Sequence, residues 1–209
     1  MLQEFLTVFI PLFIIVNPSS TLALFSIITR KSSKQERIRI ARDAVIYASI
    51  LLVIFALAGS AILEYLGISI PALRVAGGIL LGFVGLDMLR RGEQFGETPP
   101  DKKQQAPADY ALVPLALPSL SGPGAITVTI VSMQTAQWWT IQWWMVILAI
   151  FLTMTITFLV FMSSVVVIRV LGKKGMDALT RIMGLLTVAI SVQFALTGFA
   201  EWFAEIKIL

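Results

Sequence analysis

Residues 6–28 read LTVFIPLFIIVNPSSTLALFSII, an apolar run without a charged side chain. A helix rises ~1.5 Å per residue and a bilayer's hydrocarbon core is roughly 30 Å thick, so about 20 such residues span it. The stretch is long enough, yet Asn17, Pro18, Ser19 and Ser20 stand at its centre. Length and interruption together point to an all-α membrane protein whose first span is broken. A cleaved signal peptide wants a basic region ahead of the apolar run. Here Glu4 precedes it and the first basic residue, Arg30, lies behind it, so the segment reads as a retained helix.

The rest of the chain agrees. Of its 209 residues, 57% are hydrophobic and only 13% charged, and the mean hydropathy is +0.89. A soluble domain of this length cannot hide so much apolar surface. Six stretches qualify as spans, approximately Leu6–Ile28, Ala44–Leu63, Ala72–Leu89, Val113–Met133, Trp143–Leu171 and Ile182–Phe203. Basic residues separate cleanly between the connections. Arg30, Lys31, Lys34, Arg37, Arg39 and Arg42 follow the first span, Arg90, Arg91, Lys102 and Lys103 the third, and Arg169, Lys173 and Lys174 the fifth. The second connection (Glu64–Pro71) and the fourth (Gln134–Gln142) contain no Lys or Arg. Under the positive-inside rule the odd connections are cytoplasmic and both termini lie outside, which is the expectation for a multi-pass membrane protein. Trp138, Trp139, Trp143 and Trp144 then fall at the outer interface as anchors. The net charge of +4 needs no nucleic-acid partner, because orientation in the bilayer explains it.

The polar stretch 92–109, rich in Pro, Gln, Lys and Asp, reads as a cytoplasmic linker between two three-helix repeats, 1–91 and 110–209. The halves echo each other. Asn17-Pro18-Ser19 lies in the first helix of one and Gly122-Pro123-Gly124 in the first helix of the other; Arg74-Val75-Ala76-Gly77 opens the third helix and Arg181-Ile182-Met183-Gly184 the sixth. A duplicated unit with an odd number of spans must insert upside down, so the expected architecture is six transmembrane helices as two inverted repeats, with the first and fourth helices broken.

Proline lacks an amide donor and clashes with the preceding turn, so Pro18 and Pro123 interrupt their helices. Ser19, Ser20 and Thr21 follow the first break; Ser121, Gly122, Gly124 and Ala125 surround the second. Unwound backbone at mid-membrane must face protein or a wet cavity. The two half-helices that begin there bring partly positive N-termini to the midplane, while those that end near Val16 and Leu120 bring free carbonyls. Such a site suits a zwitterion without any charged side chain. A proline kink that only shapes packing is the plainer alternative.

The stretches IVNPSSTLALF, LRVAGGILLGFVGLDML, PLALPSLSGPGAITV and TRIMGLLTVAISVQFALTG resemble the MarC family of prokaryotic inner-membrane proteins, which includes SnatA-type neutral amino acid transporters and is related to the LysE exporter superfamily. The resemblance implies a secondary transporter of small neutral amino acids, of the glycine and alanine class, coupled to an ion gradient. Many members carry glycine after the first break where this chain has Ser19-Ser20, which narrows the cavity or adds a hydrogen bond.

The remaining polar residues admit two readings each. Arg74 and Arg181, inverted counterparts, suit either headgroup snorkelling or gating and steering of a carboxylate. Gln193, deep in the sixth helix, suits either substrate binding or an interhelical hydrogen bond. Gly77, Gly78, Gly82 and Gly85 form a small-residue face for helix packing. Asp87 has Arg90 and Arg91 on its own helix face, and Asp43 has Arg39 and Arg42 beside it. With no His and no Cys there is no Ser-His pair, thiol nucleophile or zinc motif, so neither an enzyme, a cofactor nor a metal site is expected. Proton and sodium both stay open as coupling ion. The competing functions are an exporter or channel for another small solute, or a non-transporting membrane scaffold.

Overall fold

The computed structural model of the chain describes residues 1–91, 111–134, 136 and 140–206. The stretch 92–109, expected as a linker, and Trp138 and Trp139 lie outside the described residues. Among the described residues there is no strand, and five helices are long and apolar enough to cross a membrane.

Helix α1 runs Leu2–Val16 and α2 runs Pro18–Ile28, with Asn17 between them at φ 45°, ψ 71°. A single turn at Thr29–Lys31 leads to α3, Lys34–Tyr65. Ser33 and Glu36 start that helix with reciprocal side-chain to backbone bonds, which satisfy two of its orphan amides. Helix α4 spans Ile70–Arg91. Next come α5, a wide-turned segment at Ala111–Leu120, and α6 at Pro123–Gln134. Helix α7 is Ile141–Met162 and α8 is Ser164–Ile206, the latter kinked at Gly172 with φ 61°.

Two expected spans differ in detail. Val113–Met133, expected to be interrupted at Pro123, consists of two pieces of 10 and 12 residues, neither long enough alone to count as a span. The first piece is itself irregular, because proline restricts the residue before it. Val113 (φ −130°, ψ 121°) precedes Pro114, and Leu117 (φ −117°, ψ 126°) precedes Pro118; both are pushed into extended backbone. The Trp143–Leu171 run likewise ends early, at Met162. There Ser164 Oγ donates to the Phe161 carbonyl at 2.6 Å and accepts from Arg37 Nη2, so a hydroxyl competes for backbone groups at the junction of α7 and α8.

Packing is tightest where side chains are small. On α3, Ala44, Ala48, Leu52 and Ala56 recur at every fourth position and are buried, which lets neighbouring backbones come close. The outward faces stay apolar: Ile50 and Ile54 of α3, Phe83 of α4, Leu148 of α7 and Leu196 of α8 are all exposed. Outer surface of this kind, spread over every long helix, is what contact with lipid requires.

Helices α4 and α8 lie antiparallel along a seam of glycine. A Cβ built on Gly78 would stand 2.7 Å from the Ser191 carbonyl, one on Gly85 2.9 Å from the Gly184 carbonyl, and one on Gly198 2.8 Å from the Pro71 carbonyl. Gly77 faces Thr127 of α6 instead. The ends of the seam are fastened by charge. Arg74, early in α4, pairs with Glu201 late in α8 (3.1 Å, off the N–H axis), and Arg181 donates to Asp177 (3.0 Å) and to the Leu89 carbonyl late in α4 (3.2 Å). Gly78→Val is therefore expected to lower stability by about 1–3 kcal/mol, because a backbone carbonyl cannot rotate out of the way. Thermal unfolding of the purified variant beside Ala76→Val, at an exposed position of the same helix, checks it. Equal melting temperatures would mean that the seam tolerates side chains.

Candidate functional site

The interruption at Asn17 is built by one side chain. A non-glycine residue with positive φ is uncommon, and Asn tolerates it better than most because its short amide bonds locally. Asn17 Oδ1 accepts from Ser19 Oγ at 2.7 Å and from the Ser20 amide at 3.4 Å, capping α2 at its N-terminus. Its own amide closes α1 on the Phe13 carbonyl at 3.0 Å. Thr21 turns its hydroxyl back to the Asn17 carbonyl at 3.3 Å. Asn17 is thus end of one helix and cap of the next, while Pro18 supplies the fixed φ that suits a first helical position.

The second interruption is closed by a wide turn. The Ser121 amide and hydroxyl both donate to the Ala116 carbonyl, at 3.0 and 2.8 Å. Gly122 separates this turn from α6, whose first regular bond runs from the Ile126 amide to the Gly122 carbonyl at 3.1 Å. The amides of Gly124 and Ala125 belong to the first turn, which no carbonyl of α6 itself can serve.

These two interruptions face one cavity. Its volume is about 330 Å³, and it is lined by Ile15, Val16, Asn17, Ser20, Thr21 and Leu24 from the first break, by Ser119, Gly122, Pro123, Gly124 and Ala125 from the second, and by Leu80, Leu81, Val84 and Met88 of α4. Among the described residues, none that lines it is charged. The helix N-termini at Pro18 and Pro123 supply electrostatics in place of side-chain charge. Immediately beyond Leu24, the fully buried Phe25 stacks on Phe161 with centroids 4.5 Å apart, and the Arg37 guanidinium sits 5.4 Å over the Phe25 ring. That cluster ties α2 to α3 and α7 and holds the short helix in place.

Of the residues singled out in the sequence, seven line the cavity: Asn17, Ser20, Thr21, Gly122, Pro123, Gly124 and Ala125. Pro18 and Ser121 are buried beside it as backbone formers, and Ser19 is half-buried and spent on Asn17. Gln193 does not join them. It is exposed on α8 and donates to Thr197 of its own helix at 3.1 Å. Arg74 and Arg181 also stay away from the cavity and serve the ends of the glycine seam. The contribution of α4 was missed, although Leu81, Val84 and Met88 recur at helical spacing and so mark one face.

Residues 2–203 match the family model described as MarC family integral membrane protein. The chain belongs to the MarC family. MarC-family relatives align over most of their length. A UPF0056 membrane protein of Methanocaldococcus jannaschii is 41% identical over 201 residues, 94% of this chain and 96% of the relative. The UPF0056 inner membrane protein MarC of Escherichia coli is 35% identical over 207 residues, 94% of this chain and 92% of its own length. A UPF0056 membrane protein of Archaeoglobus fulgidus is 36% identical over 201 residues, 96% of this chain and 94% of the relative. No solved structure matches the chain. Membership and the apolar helices make it a multi-pass inner-membrane protein.

Proposed function

We propose that this MarC-family protein is a secondary transporter of small neutral amino acids, which binds the zwitterion in the cavity between the Asn17 and Gly122 interruptions. One observation carries the reading: two helix N-termini and two glycines converge on one uncharged cavity of about 330 Å³. That volume sits at the small end of ligand sites, which typically run ~300–1,000 Å³, and so favours a small solute. Six spans in two inverted three-helix repeats are the architecture that goes with this reading. The reciprocal fastenings of α4 and α8 support it, since Arg74 and Arg181 stand at equivalent places and each reaches the far end of the other's helix. Coupling is to a proton or sodium gradient.

Counterflow in proteoliposomes is the test. Vesicles loaded with unlabelled alanine should transiently accumulate labelled alanine from outside, because an alternating-access carrier exchanges solute. A channel equilibrates label without accumulation, and a scaffold admits none; either result sinks the proposal.

Orientation is tested separately. With the basic connections inside, Lys102→Cys should resist an impermeant maleimide in intact cells, and Trp138→Cys should react. The chain has no native cysteine to confuse the readout. Labelling at position 102 and not at 138 would invert the topology.

A further inference from the structure

Within the cavity, one donor is held by a poor partner. Because the Ser20 amide can only donate, the atom of Asn17 facing it must be Oδ1, and this fixes which way the side-chain amide points. Nδ2 then faces Met88 of α4, 3.6 Å from its sulfur. Asn17 is 5% exposed and Met88 2%, and both line the cavity. A thioether is a weak acceptor, so a buried amide donor resting on it is poorly compensated for the water it has given up. Methionine is also unbranched and flexible, and it vacates a position more readily than a branched side chain does.

We infer that Met88 is a placeholder for the ligand's carboxylate: it holds the Asn17 amide while the site is empty and gives it up when the carboxylate arrives. The inference rests on the transporter reading and deepens it. Asn17 Nδ2 is the side-chain donor to the carboxylate, beside the amides at the start of α6, and Met88 tunes affinity through the strength of the bond that must be exchanged. Binding replaces a weak N–H to sulfur contact with a charge-assisted N–H to oxygen bond. The gain belongs to the carboxylate and not to the ligand's side chain.

Substitutions at position 88 separate this from a steric role. Met88→Leu keeps an apolar side chain and removes the acceptor; Met88→Gln keeps the length and offers a better one. Exchange of one neutral hydrogen bond corresponds to about two- to tenfold in affinity. Labelled alanine should therefore bind the purified leucine variant about two- to tenfold tighter than the parent, and the glutamine variant weaker by a similar factor. Asn17→Gly keeps a residue that accepts positive φ while deleting the amide. It should bind about ten- to a hundredfold more weakly, and in its background the two position-88 variants should no longer differ.

Shifts of the same sign at position 88, or a difference that persists without the Asn17 amide, would overturn the placeholder and leave alanine binding by the parent standing. If the parent binds neither alanine nor glycine, the transporter reading and the placeholder fall together.

Discussion

Gly124→Val is expected to reduce alanine counterflow about a hundredfold or more while leaving a folded protein. A Cβ at this position would meet the end of the Leu81 side chain inside any real contact distance, with Leu81 Cγ at 3.0 Å and Ile15 Cγ2 at 3.2 Å. Leu81 belongs to α4 and Ile15 to α1, so the glycine sits where three elements close on the cavity. Overpacking of this kind costs about 1–3 kcal/mol, which most folded proteins survive. The functional loss is larger because the two branches of valine fill the space through which a ligand approaches the Gly124 and Ala125 amides. Each charge-assisted bond lost corresponds to about ten- to a hundredfold in affinity. Gly124→Ala should fall in between, since Leu81 can turn its far end away. Counterflow normalised to monodisperse protein, beside Ala76→Val on an exposed face, measures it. A well-folded valine variant working at the parental rate would reduce the start of α6 to a packing feature.

How far the residues alone foretold this arrangement depends on what kind of force set each part. The long helices were legible because a hydrocarbon core imposes a length, and uncharged runs of that length are rare otherwise. Helices start at Pro18 and Pro123, where proline's missing donor costs nothing at a first helical position. The same residue type misled at Val113 and Leu117. There the relevant effect is proline's clash with the residue before it, and Pro114 and Pro118 carried that signal unread. The early end of α7 had no comparable signal. Serine is tolerated inside a helix, and the bond that Ser164 accepts from Arg37 of α3 joins residues far apart in the chain.

Side-chain direction was the weakest inference, for a reason peculiar to membranes. In water the polar face of a helix points out and the apolar face points in, so periodicity reveals the core. Where both faces are apolar that contrast vanishes, and Gln193 had no stripe to be measured against. It points outward and bonds along its own helix. Arg74 and Arg181 were placed as counterparts from the short repeat, but their roles turned on Glu201 and Leu89, far away in the chain. Gly78, Gly82 and Gly85 were read for close packing, and the structure sets all three against α8.

The cavity should also discriminate by charge group, binding alanine while rejecting both ethylamine and propionate. The helix N-termini at Pro18 and Pro123 favour a carboxylate, and the carbonyls that end the preceding segments favour an ammonium. With no charged side chain among the described lining residues, neither end of the zwitterion is recognised by a counter-ion. Recognition therefore depends on presenting both ends at once. A ligand lacking one of them leaves a set of buried dipoles desolvated and unpaired, a loss of about 1.5–3 kcal/mol. In affinity this is about ten- to a hundredfold for each deleted group. Larger neutral amino acids should bind progressively more weakly, because Leu80, Leu81 and Val84 on one wall and Leu24 on another leave about 330 Å³ in all. Acidic and basic amino acids should fail for a different reason, since an extra charge would enter an uncharged site with no partner. Competition against labelled alanine in proteoliposomes tests the whole pattern. Ethylamine or propionate competing as well as unlabelled alanine would show that one end suffices, and a site reading only one end needs no pair of opposed helix termini.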